Sequence, residues 1–302
     1  MNTDTLKARR AINWPSDLVN MTLDYVALTS PGKTLLVMLT GFIGMWLAAR
    51  GLPEISLAMW GLLGIGLASA GSLVFNNYYD RDIDRVMKRT QGRALPSGRI
   101  KPNRALLLGI FLSIASFVIL SVFANTLSAI LAILTIIFYA YLYTAVLKRR
   151  TPGATEIGGI PGALPPVIGW AVVTGQIGFE PWLLFLIMLL WQPPHFWALA
   201  IRYRDDYARA GIPTVPVVYS KHHAIVRSIY YVILLIIVSI TPYYFGMSGQ
   251  MYLAIASILG AIYLILYFIQ IFSKRDLNRH LFVYSIVYLS ALFIAIVVDL
   301  SG

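Results

Sequence analysis

Cysteine is absent from this chain of 302 residues, which excludes a disulfide framework and any thiolate metal site and leaves the redox compartment open. Charge is scarce too. Asp, Glu, Lys and Arg make up 12% of the residues, and the 13 acidic residues are outnumbered by 24 Lys and Arg. The balance is apolar, with 58% hydrophobic residues and a mean hydropathy of +0.73. No soluble domain needs that much apolar sequence in runs this long, so the chain reads as an integral membrane protein. A net charge of +11 suggests nucleic acid when taken alone, but the basic residues stand between the apolar runs, which fits membrane orientation, and nucleic acid is set aside. No internal repeat and no linker divides the chain, so a single domain over residues 1–302 is expected. Residues 1–32 carry Lys7, Arg9 and Arg10 with no apolar core beside them. That pattern is not a signal peptide, and it predicts a partly ordered cytoplasmic arm.

The fold class that follows is all-α and polytopic. Nine mostly apolar runs, each long enough to cross a hydrocarbon layer about 30 Å thick, fall near 33–50, 56–79, 104–122, 125–147, 156–174, 181–202, 223–246, 251–272 and 280–299. The fifth is rich in Gly and Pro (Gly158-Gly159-Ile160-Pro161-Gly162-Ala163-Leu164-Pro165-Pro166) and predicts a kinked or broken helix held by its neighbours. With nine spans, alternate loops face opposite sides. All of the 24 Lys and Arg except Arg50 fall on the side of the N-terminus and the loops after spans 2, 4, 6 and 8. That side is read as cytoplasmic, with the C-terminus outside.

The candidate chemistry gathers on that charged side. Where span 2 ends, the chain reads Asn76-Asn77-Tyr78-Tyr79-Asp80-Arg81-Asp82-Ile83-Asp84. A helix turns about 100° per residue, so Asn76, Asp80 and Asp84 share one face while Asp82 points away. Carboxylate and amide oxygens at a membrane boundary suit a hard cation such as Mg²⁺, which leaves coordination sites for phosphate. The same loop supplies Arg89 and Arg93, whose guanidinium groups can share in neutralising a diphosphate. The bland alternative is a loop that is basic only because cytoplasmic loops are.

Span 6 contains Trp191-Gln192-Pro193-Pro194-His195-Phe196 and runs on to Arg202, Asp205 and Asp206. A helix continued through that loop would put His195, Arg202 and Asp206 on one face, as a polar column leading into the membrane. A structural histidine and a solvated acidic pair are the alternatives. Span 4 ends with Tyr139, Tyr143 and Lys148 near one face, either as interfacial belt residues or as the wall of a cavity suited to a carbocation. His222, His223 and His280 read as ordinary interfacial residues.

These wordings, with Arg89-Thr90, Tyr143-Thr144, Leu147-Lys148-Arg149, Gly162-Ala163-Leu164-Pro165-Pro166 and Gly169-Trp170, resemble the UbiA-type intramembrane prenyltransferase superfamily and, within it, the heme O synthases, over roughly residues 30–300. The resemblance implies nine transmembrane helices around a lateral cavity in the cell (inner) membrane, with Mg²⁺ at the cytoplasmic mouth. It also implies transfer of a farnesyl group from farnesyl diphosphate to a vinyl group of heme B, with water completing heme O.

On that reading Asn76, Asp80, Asp84 and Asp206 surround the metal, and Arg89, Arg93 and Lys148 hold the diphosphate. Arg202 meets phosphate or a heme propionate, while His195, Tyr139 and Tyr143 face the acceptor or the cavity. A heme A synthase or a terminal oxidase would receive the product. The chain departs from the family wording at Ala94, at Ala154, at Ser30-Pro31-Gly32-Lys33, and at Arg202, which stands where the second acidic motif has its first carboxylate. That departure bears on whether a second metal is bound. Two other readings stand beside this one: a prenyltransferase acting on another aromatic or tetrapyrrole acceptor, and a secondary transporter using the polar column as an ion path.

Overall fold

The structure, a computed structural model, describes residues 14–273 and 276–300, with side chains described from residue 18 to 299 apart from 274 and 275. Among the described residues there is no strand. The helices in chain order are α1 (Trp14–Leu28), α2 (Pro31–Ala49), α3 (Ile55–Tyr79), α4 (Arg81–Val86), α5 (Pro102–Phe123), α6 (Thr126–Ile137), α7 (Ala154–Ala163), α8 (Pro165–Thr174), α9 (Glu180–Arg202), α10 (Arg204–Arg209), α11 (Val215–Val218), α12 (Lys221–Tyr244), α13 (Gln250–Phe272) and α14 (Asn278–Leu300). A π-helical stretch, Phe138–Val146, and a short 3₁₀ turn, Leu147–Arg149, prolong α6.

Nine of these helical runs are long and apolar enough to cross a membrane, matching the nine runs read from the sequence; α6 with its extension counts as one, and α7 with α8 as another. The expected break in the fifth span lies at Leu164, where Pro165 and Pro166 open α8. Proline at a helix start loses nothing, since the N–H it lacks would have had no intrahelical partner there. The remaining end is closed by one side chain. Asn125 caps α6 by accepting from Ser128 N at 2.9 Å, and its amide donates to Ala171 O at 2.7 Å and Val172 O at 3.2 Å in the last turn of α8. Residues 1–13 of the expected N-terminal arm lie outside the described residues; Trp14–Leu28 is helical, and its Asp24 is paired with Arg99 at 2.8 Å.

The two larger packed groups hold the spans together. Leu184, Ile187 and Trp197 of α9 join Val232 of α12, Tyr263 of α13 and Leu292 of α14 in one core, while Met45, Ile65, Leu120, Ala132 and Val172 of α2, α3, α5, α6 and α8 form the other. Without water in the hydrocarbon layer, buried hydroxyls must find partners within the protein. Tyr252 donates to Ser239 O at 2.7 Å, Tyr288 to Ser239 Oγ at 2.8 Å and Tyr267 to Pro194 O at 3.1 Å, tying α12, α13, α14 and α9 together. Thr241 donates at 2.7 Å to Val238 O, the carbonyl that Pro242 leaves without its helical donor.

Helices α2 and α8 pack backbone against backbone. A Cβ added at Gly44 would lie 2.0 Å from Pro166 O, and one at Gly169 would lie 1.9 Å from Gly41 O. Small residues of this kind let transmembrane backbones touch. Gly169→Ala should therefore force the two helices apart and destabilise the protein by about 1–3 kcal/mol, as overpacked cores do. Tryptophan-monitored melting of the detergent-solubilised protein checks this against Gly32→Ala, whose Cβ meets nothing within 4 Å.

Candidate active site

Asp80 is the joint between α3 and α4, with φ −83° and ψ 0°, so the motif does not lie on one unbroken helix. The four-residue spacing survives the joint all the same. Asp80 N donates to Asn76 O at 2.9 Å and Asp84 N to Asp80 O at 2.8 Å, which keeps the three side chains on a common side. The clamp on this joint comes from span 4: Arg149 makes two 2.7 Å bonds to the carboxylate of Asp82 and a 2.6 Å bond to Tyr79 O, a carbonyl at the end of α3. Asp82 thus points away from the other acids, as read from the sequence, and the Arg149 guanidinium holds its carboxyl down to about 2. A depressed carboxyl stabilises the fold at neutral pH, and that contribution is lost only as pH falls towards 2.

Asp80 is buried at 2% exposure, and its Oδ2 accepts from Lys148 Nζ at 2.5 Å and from Asn76 Nδ2 at 3.0 Å. Asn76 also donates to Thr144 Oγ1 at 3.2 Å. Asp84, likewise buried, pairs with Arg93 at 2.8 Å, and Thr90 Oγ1 donates to its main-chain carbonyl at 3.2 Å. Lys33, at the start of α2, lies within electrostatic reach of Arg93, Arg89, Lys148 and Asp84. The result is two buried carboxylates set among four cations, an arrangement able to receive a polyanion together with a metal ion.

Beside this polar end lies a cavity of about 230 Å³, bounded by residues of α2, α3, α6 and its π-helical extension, α7, α8 and α9. Its wall is mostly apolar, with Lys33, Tyr139, Tyr143 and Gln192 among its polar members. A smaller chamber lined by Lys148, Tyr207 and Thr214 adjoins it, sharing Tyr143, Thr155 and Phe196. The π-helix contains both tyrosines, whose rings lie 5.5 Å apart. Gly158 lets α7 pack on one of them, since a Cβ there would come within 2.1 Å of the Tyr143 ring.

Other expected positions fall elsewhere. The α9 helix ends at Arg202 and α10 restarts at Arg204, so no continuous helix aligns His195, Arg202 and Asp206. Asp206 is buried and paired with Arg209; Arg202 is exposed and stands over the Tyr203 ring, as does Arg89 from the other loop. His195, expected to face an acceptor or the cavity, is not among the residues that line it. Its ring lies between Trp191 and Phe282, with centroids at 4.4 and 4.5 Å, and its Nδ1 is 2.6 Å from Ser285 Oγ. Since that hydroxyl donates its own proton to Phe282 O at 2.6 Å, His195 Nδ1 is the donor, and the ring joins α9 to α14.

Three wall or rim residues escaped the sequence reading. Lys33 carried a signal, a lone cation at the start of an apolar run; Thr144 and Gln192 carried none beyond their place in the quoted wordings.

The donors present fit a hard divalent cation at Asp80. Its Oδ1 is buried and makes no hydrogen bond, an orphaned carboxylate oxygen of the kind that calls for an ion or ligand. Asp206 does not complete the set: among the described residues no three Asp, Glu, His or Cys side chains converge on one point.

A model of the UbiA prenyltransferase family matches residues 37–296. The chain belongs to this family. Similar curated proteins include the protoheme IX farnesyltransferase of Aquifex aeolicus, 44% identical over 281 residues and covering 93% of this chain and 96% of that protein, and that of Stutzerimonas stutzeri, 43% identical over 280 residues, covering 91% and 93%.

The fold is shared with a digeranylgeranylglyceryl phosphate synthase (TM-score 0.78, 22% identity, 93% of this chain and 99% of that one). It is also shared with a UbiA homolog from Archaeoglobus fulgidus bound to DMAPP and Mg²⁺ (TM-score 0.63, 19% identity, 91% and 99%). This UbiA family member is thus a multi-pass membrane enzyme, a prenyltransferase, and the transport reading falls. Lys148→Met in this prenyltransferase should leave the Asp80 carboxylate buried without its cation and lower stability by about 3 kcal/mol. The double variant with Asp80→Asn should recover most of the loss, as read by melting in detergent.

Proposed function

We propose that this prenyltransferase moves the farnesyl group of farnesyl diphosphate to a vinyl group of heme B, yielding heme O and diphosphate with Mg²⁺ as the metal. The observation that carries the proposal is the set of buried carboxylates and cations, Asp80 with Lys148 and Asp84 with Arg93, at one end of a largely apolar cavity. The acceptor is inferred from the relatives named protoheme IX farnesyltransferase, and the metal from the orphaned Asp80 oxygen together with the Archaeoglobus fulgidus homolog that binds Mg²⁺.

Asp80, Asn76 and Asp84 would hold the metal, which when bound supplies a Lewis acid for the departing diphosphate. Lys148, Arg93, Arg89 and Lys33 neutralise the oxygens on which charge grows as the C1–O bond breaks, favouring the transition state over the bound substrate. Tyr139 and Tyr143 line the cavity, and a ring face turned to an allylic cation there would stabilise it by roughly 0.5–2 kcal/mol. The apolar wall keeps water away until the vinyl carbon has bonded to C1. Water then adds to the resulting cation on the acceptor, losing one proton, and the hydroxyethylfarnesyl chain is complete.

Arg202 is assigned to a propionate or phosphate at the loop side, Asp206 to a supporting role beside Arg209, and His195 to the packing of α9 on α14. The domain is taken as a single unit in the cell (inner) membrane, with the site and N-terminus cytoplasmic and the C-terminus outside, as the distribution of Lys and Arg favours. A heme A synthase or terminal oxidase is the class of partner that would take the product.

Membranes from cells expressing the chain, given heme B and labelled farnesyl diphosphate, should produce labelled heme O by mass spectrometry, and a metal chelator should stop it. Asp80→Asn should abolish the product, a loss of about 10³-fold or more for removal of a group acting on the leaving charge, while the protein still inserts and melts cooperatively. Near-normal product from that variant would remove the metal assignment, and label transferred only to another acceptor would remove heme.

A further inference from the structure

The Thr144 side chain is completely buried, on the π-helix that faces the end of α3. Its hydroxyl has a single proton, donated to Tyr139 O at 2.8 Å, the carbonyl five residues back. Having given that proton away, the oxygen can only accept, and what it accepts is the Asn76 amide N–H at 3.2 Å. On the other side of the same nitrogen, at 3.0 Å, stands Asp80 Oδ2, which already receives Lys148 at 2.5 Å and is also an acceptor only. Turning the Asn76 amide over would set its carbonyl oxygen against two acceptors at hydrogen-bond distance, leaving Thr144 Oγ1 without a donor and Asp80 Oδ2 with Lys148 alone. One orientation therefore remains: the NH₂ group lies between Thr144 and Asp80, and the Oδ1 atom is turned away from both, available as a neutral oxygen ligand.

We propose that Thr144 is a positioning residue that locks Asn76 with its carbonyl oxygen presented to the metal, coupling the π-helical register of the fourth span to the donor set of the second. The inference rests on the metal reading above and assigns a cause to one feature of it. The π-helix is part of the device. Hydrogen bonds that close over five residues bring Tyr139 O beneath the Thr144 hydroxyl, and this link is what turns the hydroxyl from a possible donor to Asn76 into an acceptor. Support of this kind behind a ligand typically changes metal affinity by about 10- to 100-fold.

The test uses the full chain in detergent with farnesyl thiodiphosphate as a non-transferring ligand, titrating Mg²⁺ and reading the melting temperature. Thr144→Val keeps the shape but has no hydroxyl. It should raise the half-saturating Mg²⁺ concentration by about tenfold or more while Thr144→Ser stays within about twofold of the parent, the range expected when the supporting bond is lost or kept. Melting without metal tells whether each variant is folded. If the valine variant is not, Thr144→Ala against Thr144→Ser gives the same contrast.

A valine or alanine variant that titrates like the parent, while Asn76→Ala does not, overturns the role of Thr144. Equal weakening by serine and valine overturns it as well, since the methyl rather than the hydroxyl would then matter. If Asp80→Asn and Asn76→Ala also leave the Mg²⁺ midpoint unchanged, the metal reading itself fails.

Discussion

A carboxylate buried at the edge of a membrane is tolerable only if something compensates it, and the compensation of Asp80 by Lys148 organises this end of the molecule. The two residues come from different spans, so their 2.5 Å contact joins the end of α3 to the 3₁₀ turn that follows the π-helical segment. Removing water from an ion pair costs several kcal/mol per ion unless further hydrogen bonds complete it. Here Asn76 completes one oxygen of Asp80 and nothing completes the other. The incompleteness is local, at the polar end of the bundle, which is where a site that must bind charge would keep unused coordinating power.

The surrounding scaffold is irregular where it meets the site and regular elsewhere. The span carrying the motif breaks at Asp80, the fourth span becomes a π-helix, the fifth is split at Leu164, and the sixth ends at Arg202 just before the acidic turn. Two of these irregularities, and the end of the split span, are held by specific partners. Arg149 seals the end of α3, Thr144 spans the π-turn, and Asn125 closes α8. By contrast α12, α13 and α14 are long helices, and the hydroxyls of Tyr252, Tyr267, Tyr284 and Tyr288 each bond to a neighbouring span. That half of the bundle backs α9 without lining the cavity, and the other half supplies the irregular segments that carry the polar groups of the site.

Much of this was legible in the amino-acid order. The nine spans followed from apolar run length, the broken fifth span from its Gly and Pro, and the Asn76, Asp80 and Asp84 face from four-residue spacing. The outward turn of Asp82 followed in the same way. Spacing failed where helices did not continue. His195, Arg202 and Asp206 share a face only on an unbroken helix; the break after Arg202 takes Asp206 to Arg209, while His195, inside α9, is turned to Ser285 by the packing of α9 on α14. Lys33 stands as a lone cation at the start of an apolar run, and no local pattern records that the start of α2 comes within electrostatic reach of Asp84 and the loop after α3.

Sequence by itself determined that this chain crosses a membrane as helices and carries nearly all of its bases and most of its acids at one end, because apolar run length and charge placement are local properties that the bilayer reads directly. It also determined the family, through wordings long enough to be specific. Only the tertiary structure decided which cation stands against which carboxylate, which tyrosines border the cavity and which histidine does not, and which way the Asn76 amide points. Those outcomes depend on contacts between spans tens of residues apart, where a one-residue change of register, as in the π-helix, redirects every side chain that follows.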